Sequence, residues 1–168
     1  MERAVDVAII GAGQAGLATS WHLSQAGIDH VVLDSGRVAE TWRSRRWDSF
    51  RLITPNWAIE LPGIAYSGHE PDGYMSRAEL IGFFESWVAS FKPPLQGNTH
   101  VSQLTADPDG GFVLTVGDGK IHARKVVVAS GVIRRRTGRG VRTLSPRRCT
   151  RCCPRTTGTP TRCRPETC

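Results

Sequence analysis

The sequence predicts an α/β domain on a parallel sheet, followed by a tail of different character. Three observations carry this. An apolar run, a helix pattern and a second apolar run fill residues 4–34. Three short extended runs joined by turn sequences follow further on, and an apolar β-branched run closes the domain at 125–129.

Ala4–Ile10 (AVDVAII) is short, apolar and ends on glycine, which suits a buried parallel strand. A helix is expected from Gly13 to Ala26, with Ala15, Leu17, Ala18, Trp21 and Leu23 as its apolar face and Gly27 as its left-handed stop. His30–Asp34 (HVVLD) completes a βαβ unit. Residues 35–73 are rich in Trp, Arg, Pro and Gly and predict loops, a short helix at Val38–Thr41 and an extended piece at Phe50–Ile53. Ser76-Arg77-Ala78-Glu79 matches a capping box, and the helix it opens ends at Pro93-Pro94. Thr99–Thr105, Phe112–Val116 and Lys120–Arg124 form a β-meander, because Asp-Pro-Asp-Gly-Gly and Gly-Asp-Gly between them are turn sequences. Lys125–Ala129 (KVVVA), leading into Ser130-Gly131, predicts a further buried parallel strand.

The net charge of +7 misleads about partners. Residues 134–168 hold 11 Arg and one acid, whereas residues 1–133 hold 11 basic and 14 acidic side chains, a net of −3. Whole-chain basicity is therefore no argument for specific nucleic-acid binding. All five cysteines (149, 152, 153, 163, 168) lie in the tail, so residues 1–133 have neither a disulfide framework nor a thiol redox pair. The tail cysteines match no compact zinc spacing, the five histidines form no ligand set, and no metal site is expected. No apolar run approaches the roughly 18 residues of a membrane-spanning helix. The first residues lack a signal-peptide layout, and a cytoplasmic location is expected.

The loop Gly11-Ala12-Gly13-Gln14-Ala15-Gly16 carries the chemistry. Gly11 permits a tight turn off the strand, Gly13 lets a pyrophosphate approach the backbone, and Gly16 lets the helix pack closely on the strand. The helix start at Gln14 and Ala15 then offers N–H groups and a positive dipole end. Asp34 stands 18 residues past Gly16, near the spacing of the acid that binds a ribose hydroxyl, with Ser35 beside it. Strand, loop, helix and acid together specify a dinucleotide site. Spacing alone does not separate NAD from FAD.

Four segments carry a resemblance that does: VAIIGAGQAGLATSWHLSQAGIDHVVLD, ETWRSRRWDSFRLITP, GYMSRAELIGFFESW and KVVVASG. Over about residues 4–133 the chain resembles the N-terminal half of flavin-containing monooxygenases, its YUCCA-like bacterial and plant branch above all. The resemblance implies a Rossmann-type FAD-binding domain. It implies that Gly11, Gly13 and Gly16 face the pyrophosphate and that Asp34 holds the adenosine ribose, where the family more often has Glu. Trp42 and Arg43 match a Trp-Arg near the flavin, Val101 a position whose backbone addresses adenine, and Ala129, Ser130 and Gly131 a segment passing close to the dinucleotide. Trp47, Phe50 and Trp57 are expected to be packing residues. Arg45, Arg46 and Arg51 are either a solvated cluster or an aid to phosphate binding. Asn56 is one residue off the functional Asn of some relatives, and no catalytic residue is assigned.

In that family a second glycine loop binds NADPH, whose hydride reduces the flavin for oxygenation of a small-molecule substrate. No such loop follows here, since Gly138-x-Gly140 lacks a third glycine and a helix pattern. At Ile133-Arg134 the composition shifts to Arg, Thr, Pro and Cys, with Val141 and Leu144 the only clear aliphatics, and disorder is expected over 134–168. The reading is a truncated, inactive or weakly binding monooxygenase fragment with a frameshifted tail. The alternatives are a thiol-independent flavoprotein of disulfide-reductase architecture and a stand-alone nucleotide-binding module whose basic tail docks on a partner or nucleic acid. The coding DNA tests the frameshift: an alternative frame after codon 133 is expected to encode flavoprotein sequence with a second GxGxxG, and its absence from both frames rejects it.

Overall fold

A computed structural model describes residues 2–131. The chain divides into Met1–Arg134 and Arg135–Cys168, and the expectations for the tail lie outside the described residues.

The core is one six-stranded sheet. Strand β1 (Glu2–Ile10) leads through helix α1 (Gln14–Gln25) to β2 (His30–Leu33), which pairs parallel to it. Beyond β2 lie helix α2 (Glu40–Arg45), a small hairpin of β3 (Glu60–Leu61) and β4 (Ile64–Ala65), and helix α3 (Arg77–Phe91). Strands β5 (Leu95–Gln96), β6 (Val101–Ala106), β7 (Phe112–Val116) and β8 (Gly119–Val128) complete the sheet in the order β5-β2-β1-β8-β7-β6. Its β5, β2, β1 and β8 are parallel, and β8-β7-β6 is the antiparallel meander. The expected α/β class, βαβ start and meander are all present.

Several boundaries differ for physical reasons. Lys120–Arg124 and Lys125–Ala129 are one strand, not two, because β1 runs parallel to both halves. Only the first half also pairs with β7, so beyond Arg124 the expected burial is lost: Val126 and Val127 are half-buried and Val128 is 64% exposed. Helix α2 begins later than Val38 because Ala39 adopts a left-handed conformation (φ 59°) at its N-cap. Residues 50–53 form no strand, only a bridge from Arg51 to Ser76. In α1 the buried face is Gly16, Leu17 and Ser20, one helical turn apart, and Ala15 is exposed. Trp47 and Trp57 are 63% and 66% exposed, so neither is a buried core residue, although one edge of Trp47 packs against Phe50. Phe50 is half-buried against Trp42 and Trp47.

Each sheet face has its own core. Val7, Ile9 and Val32 pack with Leu17 of α1 and with Leu80, Phe84 and Trp87 of α3, which recur at i, i+4 and i+7. Ala8, Val31 and Leu33 point the other way and pack with Leu114, Ile121 and Ala123 of the meander. Trp87 is fully buried, and its indole N–H donates to the Pro62 carbonyl at 2.8 Å. His30 is buried at the start of β2; its Nδ1 donates to the Ile28 carbonyl and its Nε2 pairs with the Ser20 hydroxyl, each at 2.8 Å. The hydroxyl fits the small space between α1 and β2 and satisfies the ring.

Both halves of the capping box form: the Glu79 N–H donates to Ser76 Oγ, and the Ser76 N–H donates to the Glu79 carboxylate. Hydrogen bonding from Ser76, side chain first and backbone second, holds the Glu79 carboxyl below its ordinary pKa. A lowered carboxyl stabilises the fold at neutral pH and loses that contribution as the pH falls through the lowered value. Ser76→Ala is therefore expected to cost about 1 kcal/mol in a neutral-pH urea melt. The difference from the parent protein shrinks in acid.

Candidate functional site: a cavity at the strand ends

The glycine loop is shaped by contacts that leave no room for side chains at two of its three glycines. Gly11 turns off β1 at φ +111°, and its N–H donates to the Leu33 carbonyl at 2.7 Å. A Cβ there would lie 2.4 Å from the Ala129 carbonyl oxygen. At Gly16 a Cβ would lie 1.9 Å from the Gly11 carbonyl oxygen. Gly13 is different: a Cβ would meet nothing within 4 Å, and its φ of −79° is open to any residue. The folded protein does not itself require glycine there, and the bare backbone leaves open space for a ligand to approach the loop. Gly13 is the N-cap of α1 with no side-chain cap, and the first turn carries no acid. The N–H groups of Gln14 and Ala15 thus begin a helix whose own first turn supplies no cap and no carboxylate.

Asp34 closes the loop from the other side. One carboxylate oxygen accepts the Ala12 N–H at 2.6 Å and the other accepts the Gly36 N–H at 2.8 Å. Each oxygen keeps a lone pair for a further donor. The segment after β5 runs alongside, with the Asn98 N–H on the Gly36 carbonyl and the Thr99 N–H on that of Asp34.

These elements enclose a cavity of about 340 Å³ outside the carboxyl ends of the parallel strands. That is where open α/β sheets bind ligands. Gly11, Asp34, Ser35, Val101, Ser130 and Gly131 line it together. Gly13, Gln14, Ala15, Gly16 and Ala129 form the adjoining loop and strand end without lining it. Trp42 and Arg43 are on α2 but stand off the cavity. Trp42 packs against Phe50 with the Arg46 guanidinium 5.1 Å above its ring, and Arg43 pairs with Glu85 of α3. Arg51 donates to the Tyr74 carbonyl, so it and Arg46 form no phosphate site at the cavity.

Sequence reasoning missed Thr41 and Ser44, which face the cavity from α2, and Thr99 and His100 on its floor, and left Arg45 open. The spacing 41, 44, 45 on one helical face is the signal, once α2 is placed at 40–45. Asn56 is buried; its amide donates to the Glu70 carbonyl and its Oδ1 has no partner among the described residues. Among the described residues no three His, Cys, Asp or Glu gather as a metal site, and no helix is long and apolar enough to cross a membrane.

Residues 8–141 match the pyridine nucleotide-disulphide oxidoreductase family. The chain belongs to that family. A CzcO-like oxidoreductase of Geobacillus kaustophilus is 39% identical over 132 residues, covering 78% of this chain and 37% of the relative. The probable indole-3-pyruvate monooxygenase YUCCA1 of Arabidopsis thaliana is 32% identical, covering 73% and 30%. A solved flavin-containing monooxygenase of Stenotrophomonas maltophilia is 26% identical at a TM-score of 0.67, covering 77% and 39%. The chain is thus a relative of flavin-dependent monooxygenases, as its motifs imply, and it spans about a third of the length of the curated relatives it matches. Although the family's description names disulphide chemistry, residues 2–131 contain no cysteine.

The glycines make separable predictions. Gly16→Ala is expected to destabilise the fold by roughly 1–3 kcal/mol or more, because a backbone carbonyl must move. Gly13→Ala is expected to melt within about 1 kcal/mol of the parent protein. It should nevertheless lose at least about tenfold in affinity for a dinucleotide. Thermal melts and ligand titrations of both variants check the pair.

Proposed function

We propose that this domain binds FAD and forms the flavin-holding part of an NADPH-using monooxygenase. The single observation that carries the reading is Gly13, a glycine that the surrounding protein leaves in open space at an uncapped helix start. A pyrophosphate is the group whose approach a Cβ would obstruct there. The N–H groups of Gly13, Gln14 and Ala15 would take the phosphates, with Gly11 and Gly16 shaping the turn. Asp34 would accept ribose hydroxyls through the lone pairs left by Ala12 and Gly36, and the extended backbone at Val101 would meet adenine. Ala129, Ser130 and Gly131 would run beside the dinucleotide, while Trp42 and Arg43 would serve the flavin end, beyond the cavity. When bound, the flavin supplies hydride acceptance and activation of O₂.

The described residues offer no second glycine loop, so NADPH use and the substrate follow from the family rather than from this site. The same holds for the proposal that this chain has no turnover of its own. A cytoplasmic location fits a domain free of cysteine and disulfides. Purification with added FAD, then gel filtration, is expected to leave the flavin's visible absorption on the protein fraction. Protein that elutes without it contradicts the reading. Oxidation of NADPH by the loaded chain would contradict the inactive form.

A further inference from the structure

Strand β8 has a neighbour on each side over its first half only. Strand β7 accompanies it up to Ala123, and the turn before β7 reaches Arg124, whose Cα would lie 3.4 Å from a Cβ on Gly111. From Lys125 on, β1 is its one neighbour among the described residues. The backbone tells which groups are left over. The Ala129 N–H donates to the Ile10 carbonyl at 2.8 Å, so by alternation Val127 and Lys125 also face β1. Val126 and Val128 turn their N–H and C=O groups to the open edge. The extended run stops before Gly131, whose φ is 76°. Within Val126–Val128 there is no proline and no charge, the devices that keep an edge single, and Val128 is 64% exposed.

The rest of this chain holds no matching strand. A parallel neighbour needs a crossover of about a dozen residues. Beyond such a crossover, residues 143–168 contain Leu144 as their one aliphatic side chain. A tight antiparallel return would offer Arg134–Gly140, which has no apolar side chain. A second copy of the same edge does match. Identical strands related by a two-fold axis pair antiparallel. An axis through Val127, the middle of the open stretch 125–129, sets Val126 opposite Val128 of the second copy. Those are the residues whose polar groups face outward, so each such pair can exchange both backbone bonds. Lys125 then meets Ala129 of the second copy, and no like charges are opposed. We infer that this edge is a homodimer interface, in which Val126–Val128 of two copies pair antiparallel and join the two sheets into one. The inference is independent of the dinucleotide reading.

Analytical ultracentrifugation and amide hydrogen exchange of the full chain test it, with reductant present so that the tail cysteines form no bridge between copies. A concentration-dependent monomer–dimer equilibrium is expected. The Val126 and Val128 amides are expected to exchange at least about tenfold faster in the dilute monomer than in the dimer. Val128→Pro removes an outward N–H and leaves the bonds to β1 in place, and Val128→Lys puts a charge on the edge. Each is expected to weaken the dimer at least about tenfold, with circular dichroism like that of the parent protein. Should neither variant fold, the exchange rates of the parent protein still decide. A chain that is monomeric at every concentration, or a dimer that survives both substitutions in a folded variant, overturns the inference. Protection of the two amides that does not change with concentration also overturns it, and assigns the edge to residues 132–168 of the same chain.

Discussion

The contact between the first turn of α1 and the carbonyl of Gly11 sets the geometry on which the rest depends. The helix lies so close to β1 that any Cβ at residue 16 would overlap that oxygen. This approach aims the uncapped helix start at the end of the sheet, and it brings Ala12 within reach of Asp34. The neighbouring Gly11 turn is held by the Leu33 carbonyl on one side and crowded by Ala129 on the other. Loop, β2 end and β8 end are thereby locked to one another, and the cavity is what remains between them and α2. The packing behind the loop comes from Leu17, fully buried under the helix, and from the α3 face that covers Val7, Ile9 and Val32.

Charge in this cavity is managed by backbone and helix ends as much as by side chains. Asp34 takes one backbone N–H on each carboxylate oxygen, from Ala12 and from Gly36, which leaves each oxygen room for a further donor. Glu40 is answered by Arg37 outside the cavity. The start of α1, uncapped by any side chain, adds a positive end under the loop.

Much of the architecture was legible because its signals are local and strong. The βαβ unit, the Ser76 capping box and the meander each rest on a few adjacent residues whose preferences agree. What was not legible depended on contacts distant in sequence. Arg124-Lys125 looked like a break, yet β1 pairs alongside both halves and makes a single strand. The start of α2 depends on a left-handed alanine, a conformation no sequence pattern announces. Strand β5 is two residues long and follows two prolines, too short for any periodicity. At the site, the loop and its acid were readable from spacing, whereas the α2 wall appeared only once the helix was set in place. The exposure of Trp47 and Trp57 shows the same limit, since aromatic content predicts burial only when a partner surface exists.

The central claim is that the loop, the β2 end and the β8 end form one dinucleotide site. Amide NMR of the full chain during titration with FAD measures it directly. Saturable shifts are expected at Gly11–Gly16, Asp34–Ser35, Thr99–Val101 and Ser130–Gly131, with α3 and the β3–β4 hairpin nearly still. Shifts scattered over the sheet, or confined to residues 134–168, would contradict it.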